Sequence, residues 1–212
     1  MVSLSDLERD ALTELVNVGV GRAATHLSRM VSDEVLLSVP SIDIVSREEA
    51  SGFLSARESS GLVAVQQAFS SSFSGRALLI FPETNSLELA RAVLGSELSL
   101  EEIVDLEQDA LAEIGNIILN SCLVVIANSL KENLTISLPS VLRGNGRRIF
   151  HEDAATSELV LFLYIDFSVR NHSIRGYIAL LMGLSSLEAL QALIHGFVDH
   201  VTSESSHGLD PV

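Results

Sequence analysis

Long stretches of helical period alternate along this chain with shorter runs rich in β-branched and aliphatic residues. From residue 4 to 30, apolar positions recur every three or four residues. Leu4, Leu7, Ala11, Leu15 and Val18 form one stripe, which Leu12, Val16, Ala23 and Leu27 extend. Asp6, Asp10, Glu14, Asn17 and Gly21 fall on the remaining face. Ser3 or Ser5 can cap the start, with Asp6 and Glu8 near the positive helix end. Residues 34–45 read as a strand interrupted at Pro40, and 46–60 as a polar loop around Gly52. Strands at 61–69 and 73–82 follow, joined by a serine-rich turn, then a short helix at 84–94 that ends at Gly95. A helix over about 101–130, a strand at 134–142, a turn at 143–148, strands at 158–169 and 174–182, and a helix at 185–200 repeat that order.

The repeat is also explicit residue by residue. Residues 6–17 read DLERDALTELVN and residues 105–116 read DLEQDALAEIGN, identical at eight of twelve positions at an offset of 99. The register continues to Ser38, Pro40 and Ser41, which match Ser137, Pro139 and Ser140. The two halves also end alike, as SLELARAVLG and SLEALQALIHG. The expected architecture is a single domain over 1–212 made of two repeats, about 4–95 and 103–200, with a short polar tail at 202–212 that frays. Its class is α+β: a mainly antiparallel sheet of about six strands, with helices packed on it and pseudo-two-fold symmetry.

Composition narrows the function. The chain has 212 residues, 47% hydrophobic and 19% charged, with mean hydropathy +0.38, so a core is affordable and disorder is not indicated. No apolar run reaches about 18 residues without a polar interruption, which argues against membrane insertion. Met1–Asp10 lacks the basic and apolar parts of a signal peptide, and the expected location is cytoplasmic. The single cysteine, Cys122, excludes an internal disulfide and a cysteine zinc cluster, and its apolar neighbours predict a buried thiol. The net charge is −15 and Lys131 is the only lysine, so no basic stripe is available for nucleic acid. The acidic surface serves solubility, tolerance of high salt, or steering of a basic partner; composition does not separate these.

Glu14 and Asn17 lie three apart on one helix face, and Glu113 and Asn116 do the same. Such a pair contains no nucleophile, no histidine and no metal shell. An asparagine can accept one hydrogen bond and donate another, which orients a water, and the glutamate can grip a cation on a partner. These are tools for positioning rather than covalent catalysis, and positioning suffices for an activated substrate such as an aspartyl phosphate. The same residues could equally be solvated helix positions. Their survival in both copies, while Val16 became Gly115, Gly19 became Ile118 and Gly21 became Asn120, favours a site.

Each half has an Asp, three residues, a Glu, two residues, an Asn, twenty-two residues and a Pro: Asp10, Glu14, Asn17 and Pro40, then Asp109, Glu113, Asn116 and Pro139. This pattern resembles the signature of the CheC/CheX/FliY phosphatases of bacterial and archaeal chemotaxis, over nearly the whole chain. The resemblance implies hydrolysis of the aspartyl phosphate of a CheY-type response regulator at two equivalent sites. It implies that Asn17 and Asn116 orient the attacking water, and that Glu14 and Glu113 pair with a lysine of the regulator. It implies no cofactor on this chain, with Mg2+ held by the phosphorylated regulator. CheC is the most similar member. CheX-like proteins are usually shorter with one site, FliY adds segments at both ends, and the FliM middle domain shares the fold without the Glu–Asn pairs. CheC proteins also bind the deamidase CheD, a partner implied here by resemblance alone. The alternative is a non-catalytic adaptor for a regulator, CheD or the flagellar switch.

Other patterns read as structural. Gly19, Gly21 and Ala24 spell GxGxxA inside a helix rather than after a strand, so close helix packing is the better reading. His195, Asp199 and His200 form a polar helix edge, Ser38 and Ser137 have no histidine recurring beside them, and Gly144, Gly146, Arg147 and Arg148 make a turn.

Overall fold

The computed structural model describes residues 3–31, 34–39, 41–58, 60–95, 98–151, 158–169 and 172–207. In chain order the elements are α1 (Asp6–Val31), β1 (Val35–Ser38), β2 (Ile42–Ser46), α2 (Arg47–Arg57), β3 (Leu62–Ser70), β4 (Ser74–Pro82), a 3-10 turn (Glu83–Asn85) and α3 (Ser86–Leu94). The second half follows with α4 (Leu100–Ser129), β5 (Thr135–Ile136), β6 (Ser140–Gly144), α5 (Gly146–Phe150), β7 (Glu158–Val169), β8 (His172–Gly183) and α6 (Leu184–His207). Helix, two short strands, helix, two long strands and helix therefore occur twice.

The strands form one sheet in the order β1-β7-β8-β4-β3-β5, with β2 also on β7 and β6 also on β3. All described pairings are antiparallel. Exchanging the two halves leaves this pairing pattern unchanged, and the halves meet where β4 pairs with β8. The mainly antiparallel α+β arrangement expected from sequence is what the chain adopts, with eight described strands instead of about six. The two segments expected as single strands each break in two. Pro139 lies at one break, where its missing N–H cannot join a ladder. Pro40, at the other, lies outside the described residues.

Strand alternation builds two cores. Val63, Val65, Leu79, Phe81, Leu161, Leu163 and Ile165 face a layer of α1, α3, α4 and α6, while Leu62, Ala64, Leu78, Ile80, Val160 and Leu181 face α2 and α5. Burial on both faces explains why these strands read as continuous apolar runs. It also explains the two elements missed in the sequence. The expected loop at 46–60 contains α2, and the expected turn at 143–148 gives way to the end of β6 and the start of α5. Ala50, Leu54, Ile149 and Phe150 from these helices cover the second face. Ser46 and Glu49 make a capping box at the start of α2, and Asn145 Oδ1 accepts the Arg148 N–H at 2.9 Å at the start of α5.

Two smaller expectations are corrected. Helix α6 runs to His207, so residues 202–207 are helical rather than a frayed tail, and 208–212 lie outside the described residues. On α1, Leu7 and Val18 are exposed, because the buried face runs through Leu12, Val16, Gly19, Val20, Ala23 and Leu27 instead. Helix α4 is long and apolar enough by composition to cross a bilayer, but 67% of its apolar window is buried inside the protein, which makes it a core helix.

Candidate functional site

Helices α1 and α4 lie against each other in the same layer. Each turns its apolar side to the sheet and leaves its polar side outward. Leu15 and Ile114, the neighbours of the two glutamates, are buried. Glu14 and Glu113 are exposed, and Asn17 and Asn116 are half-buried. All four predicted site residues thus reach the surface of the helix layer. Asp6, Asp10 and Glu14 continue up α1 at spacings of four, all exposed, and Asp105, Asp109 and Glu113 do the same on α4. Like charges at this spacing oppose helix stability by roughly 0.2–0.5 kcal/mol per pair.

The two asparagines differ in what holds them. In the first half, Asn17 Oδ1 accepts the Val39 N–H at 2.9 Å and Asn17 Nδ2 donates to the Val39 carbonyl at 3.1 Å. Both ends of the carboxamide close on the backbone of one residue, so Asn17 fastens α1 to the corner between β1 and β2. Val39 itself is 2% exposed. In the second half, Asn116 Oδ1 accepts from Asn120 Nδ2 at 2.7 Å and from Gln67 Nε2 at 3.2 Å. Among the described residues, Asn116 makes no bond to Leu138, the counterpart of Val39, and Leu138 is 89% exposed. The loop under Leu138 is fixed through Ser137, whose N–H donates to the Ala68 carbonyl at 2.9 Å and whose carbonyl accepts from Gln67 Nε2 at 2.9 Å. The sequence motif is duplicated; its hydrogen bonding is not.

Chemically, the two settings leave different groups available. With its oxygen filled by two donors, Asn116 is left with its NH2 as the end that has no partner among the described residues. Asn17 retains one N–H beyond its pair of bonds to Val39. Such an N–H can hold a water or a phosphoryl oxygen.

Sequence reasoning missed Gln67, although a polar residue in the otherwise apolar run LVAVQQAF was a signal. It read Glu8 only as a favourable charge at the helix start and passed over Glu107; the two are again 99 apart and both buried. Glu8 Oε2 accepts the Ser5 N–H at 2.8 Å and Glu8 Oε1 lies 3.1 Å from His195 Nδ1. The backbone bond from Ser5 is the main cause holding the Glu8 carboxyl below the usual range, against the opposing effect of burial. Glu107 instead meets Arg143 Nη2 at 2.7 Å, and Arg143 Nη1 reaches Glu83 at 3.2 Å. These pairs anchor the starts of the site helices. His195 also approaches Asp199 at 3.4 Å. Cys122 is buried and its thiol is pushed up to about 12 by burial. A groove of about 660 Å3 lies on the opposite side of the sheet, lined by Phe53, Arg57, Phe162 and Tyr164 among others, and none of the four site residues lines it.

Known proteins resemble this chain in sequence. A family model described as chemotaxis phosphatase CheX matches residues 63–163, and one described as CheC-like matches residues 7–44. The flagellar motor switch phosphatase FliY of Bacillus subtilis is 27% identical over 143 residues, 65% of this chain and 36% of that protein. The CheY-P phosphatase CheC of Bacillus subtilis is 24% identical over 144 residues, 65% of this chain and 67% of that protein. This chain therefore spans about a third of the FliY relative's length.

Solved structures share the fold. Thermotoga maritima FliY has a TM-score of 0.70 at 17% identity, covering 92% of this chain and 100% of that one. FliM in its complex with FliG from H. pylori has 0.65 at 14%, covering 89% and 100%. CheX in the CheX–CheY–BeF3–Mg2+ complex from Borrelia burgdorferi has 0.50 at 15%, covering 80% and 99%. The CheC-like match contains Glu14 and Asn17, and the CheX match contains Glu113 and Asn116. Both copies of the motif thus lie inside matched segments, and the chain is similar in sequence to CheC, CheX and FliY proteins and shares their fold.

Proposed function

We propose that this protein is a phosphatase that hydrolyses the aspartyl phosphate of a CheY-type response regulator. The observation that carries this reading is the setting of Asn116: a half-buried carboxamide whose oxygen is fixed by two donors, with the NH2 left without a partner among the described residues, one helical turn from the exposed Glu113. Such an N–H donates to one lone pair of a water and leaves the other aimed at phosphorus. Attack in line forms the new P–O bond as the bond to the aspartyl oxygen breaks. The carboxylate leaves with the electron pair, and the water's proton passes to solvent or phosphate. The substrate is a mixed anhydride with a good leaving group, so alignment supplies much of what the reaction needs. Mg2+ on the regulator would neutralise the phosphoryl oxygens; this chain's residues hold the water and the partner.

Glu113 and Glu14 are assigned to docking. Each ends a ladder of exposed carboxylates retained despite mutual repulsion, which suits a cationic side chain on the regulator. Asn17 would act at a second such site, with its carboxamide partly committed to Val39. Family likeness supports the substrate: relatives are CheY-P phosphatases by name, and a CheX of this fold occurs in complex with CheY.

The competing reading is an adaptor. It draws on FliM, which has this fold in complex with FliG. Phosphate release from a CheY-type regulator phosphorylated in the presence of Mg2+ separates the two. The phosphatase accelerates release, and the Asn17→Ala/Asn116→Ala double variant returns it to the regulator's own rate while still binding. An unmutated protein that binds the phosphorylated regulator without accelerating release would leave the adaptor.

A further inference from the structure

Gln67 is 1% exposed on the face of β3 that looks toward α4. Its Nε2 has two hydrogens and two good acceptors: the Ser137 carbonyl at 2.9 Å and Asn116 Oδ1 at 3.2 Å. Its Oε1 is buried and has no partner among the described residues. A residue serving only to pack would not be chosen this way, since an apolar side chain leaves no orphaned oxygen.

The other half makes the comparison. Ile42 pairs with Leu163 on β7, and Val141, 99 residues later, pairs with Val65 on β3. Two residues further along each strand on the same face, Gln67 therefore corresponds to Ile165, which is also 1% exposed. Two more differences accompany it. Gly115 stands where the first half has Val16, and a Cβ there would meet Val65 Cγ1 at 2.4 Å. Asn120 stands where the first half has Gly21. The glycine lets α4 close onto β3, the glutamine reaches the asparagine from below, and Asn120 donates to it from one turn on. Together they link Ser137, Gln67, Asn116 and Asn120 in one chain of hydrogen bonds. Around the first site, Val16, Ile165 of β7 and Gly21 leave Asn17 to the Val39 backbone.

We propose that Gln67 is a positioning residue for Asn116. It occupies the carboxamide oxygen from below and so fixes which end of Asn116 faces the phosphorylated regulator. It also ties that end to the loop bearing the exposed Leu138, so the water-holding group and the rim of the docking surface move as one. The inference rests on the phosphatase reading above.

The test uses the full chain with Asn17→Ala, so that only the second half reports. Into it are placed Gln67→Leu, Asn120→Ala or Asn116→Ala. Phosphate release is measured against the concentration of a CheY-type regulator phosphorylated with acetyl phosphate and Mg2+, and thermal midpoints are recorded. Gln67→Leu should lower kcat by about tenfold with KM changed less than about twofold, because the bond acts on orientation in the transition state. Its thermal midpoint should be unchanged or higher, since the orphaned oxygen is gone. Asn120→Ala, at a half-buried position, should lower kcat by roughly three-fold with no loss of stability. A Gln67→Leu protein that melts earlier while Asn120→Ala keeps full kcat would make the network structural and overturn the proposal. So would full kcat in both variants while Asn116→Ala abolishes turnover. Full turnover in Asn116→Ala would instead remove the phosphatase reading of this site.

Discussion

The Cα of Cys122 lies 2.6 Å from where a Cβ on Gly19 would stand, and the Ser121 carbonyl oxygen is at 3.0 Å from the same point. Helices α1 and α4 therefore touch backbone to backbone at this place, two residues beyond Asn17. Gly21, two residues on, is exposed and has nothing within 4 Å. The GxGxxA pattern thus combines one glycine that packing requires with one that it does not.

Gly19→Ala should destabilise the protein by about 1–3 kcal/mol, since backbone rather than a flexible side chain must give way. Gly21→Ala should stabilise by roughly 0.5–1 kcal/mol through helix propensity alone. Urea midpoints of the two variants check this. Equal effects of the same sign would mean that the helices are not in backbone contact at Gly19.

The thiol at that contact should be silent. Cys122 is buried and its pKa is pushed up to about 12, so almost no thiolate exists near neutral pH. Labelling by an aromatic disulfide reagent should be negligible in native protein, and should rise with urea along the unfolding curve. Fast labelling without denaturant would place the helix pair further apart than described.

The readable parts of the sequence are those where one face decides everything. The repeated polar set on α1 and α4 was legible because helical spacing puts it on one side. The long strands were legible because burial on both faces makes them continuously apolar. Helices α2 and α5 were hidden because a short helix covering a second sheet face needs only two apolar residues, such as Ala50 and Leu54. The capping box of Ser46 and Glu49 was the available signal. The difference between the two asparagines was not legible at all. It depends on Gln67, 49 residues from Asn116, and on a strand register that no local pattern reports.

Acid should weaken the fold through three capping boxes. Glu8, Glu49 and Glu102 all have carboxyls held low: the backbone bonds from Ser5 and Ser46 lead for the first two, and the Ser99 side chain leads for the third. Their folded values lie below the unfolded value of about 4.3, so their contribution is complete above roughly pH 5 and is lost as pH falls through the folded values. Glutamine keeps the shape of each box without the titration. The Glu8→Gln/Glu49→Gln/Glu102→Gln variant should therefore show a shallower fall in urea midpoint between about pH 5 and pH 3 than the parent. Parallel curves would assign the acid sensitivity to other carboxylates.

Asn17 and Asn116 should trade stability against turnover in opposite proportions. Asn17→Ala strips both bonds from the Val39 backbone, beneath a side chain that is 2% exposed. An N–H and a carbonyl are left short of partners, which costs about 1–3 kcal/mol. Asn116→Ala removes an acceptor from Gln67 and Asn120, but Gln67 keeps its bond to the Ser137 carbonyl and Asn120 is half-buried with access to water. Its cost in stability should be under about 1 kcal/mol. In phosphate release the order should reverse. Losing the carboxamide whose NH2 is assigned to the water should lower turnover by about tenfold or more, while losing the one clasped to Val39 should matter less. Urea midpoints and steady-state phosphate release on the two single variants measure both quantities. Equal stability losses with equal turnover losses would mean that the two halves work alike, despite the different bonds that hold their asparagines.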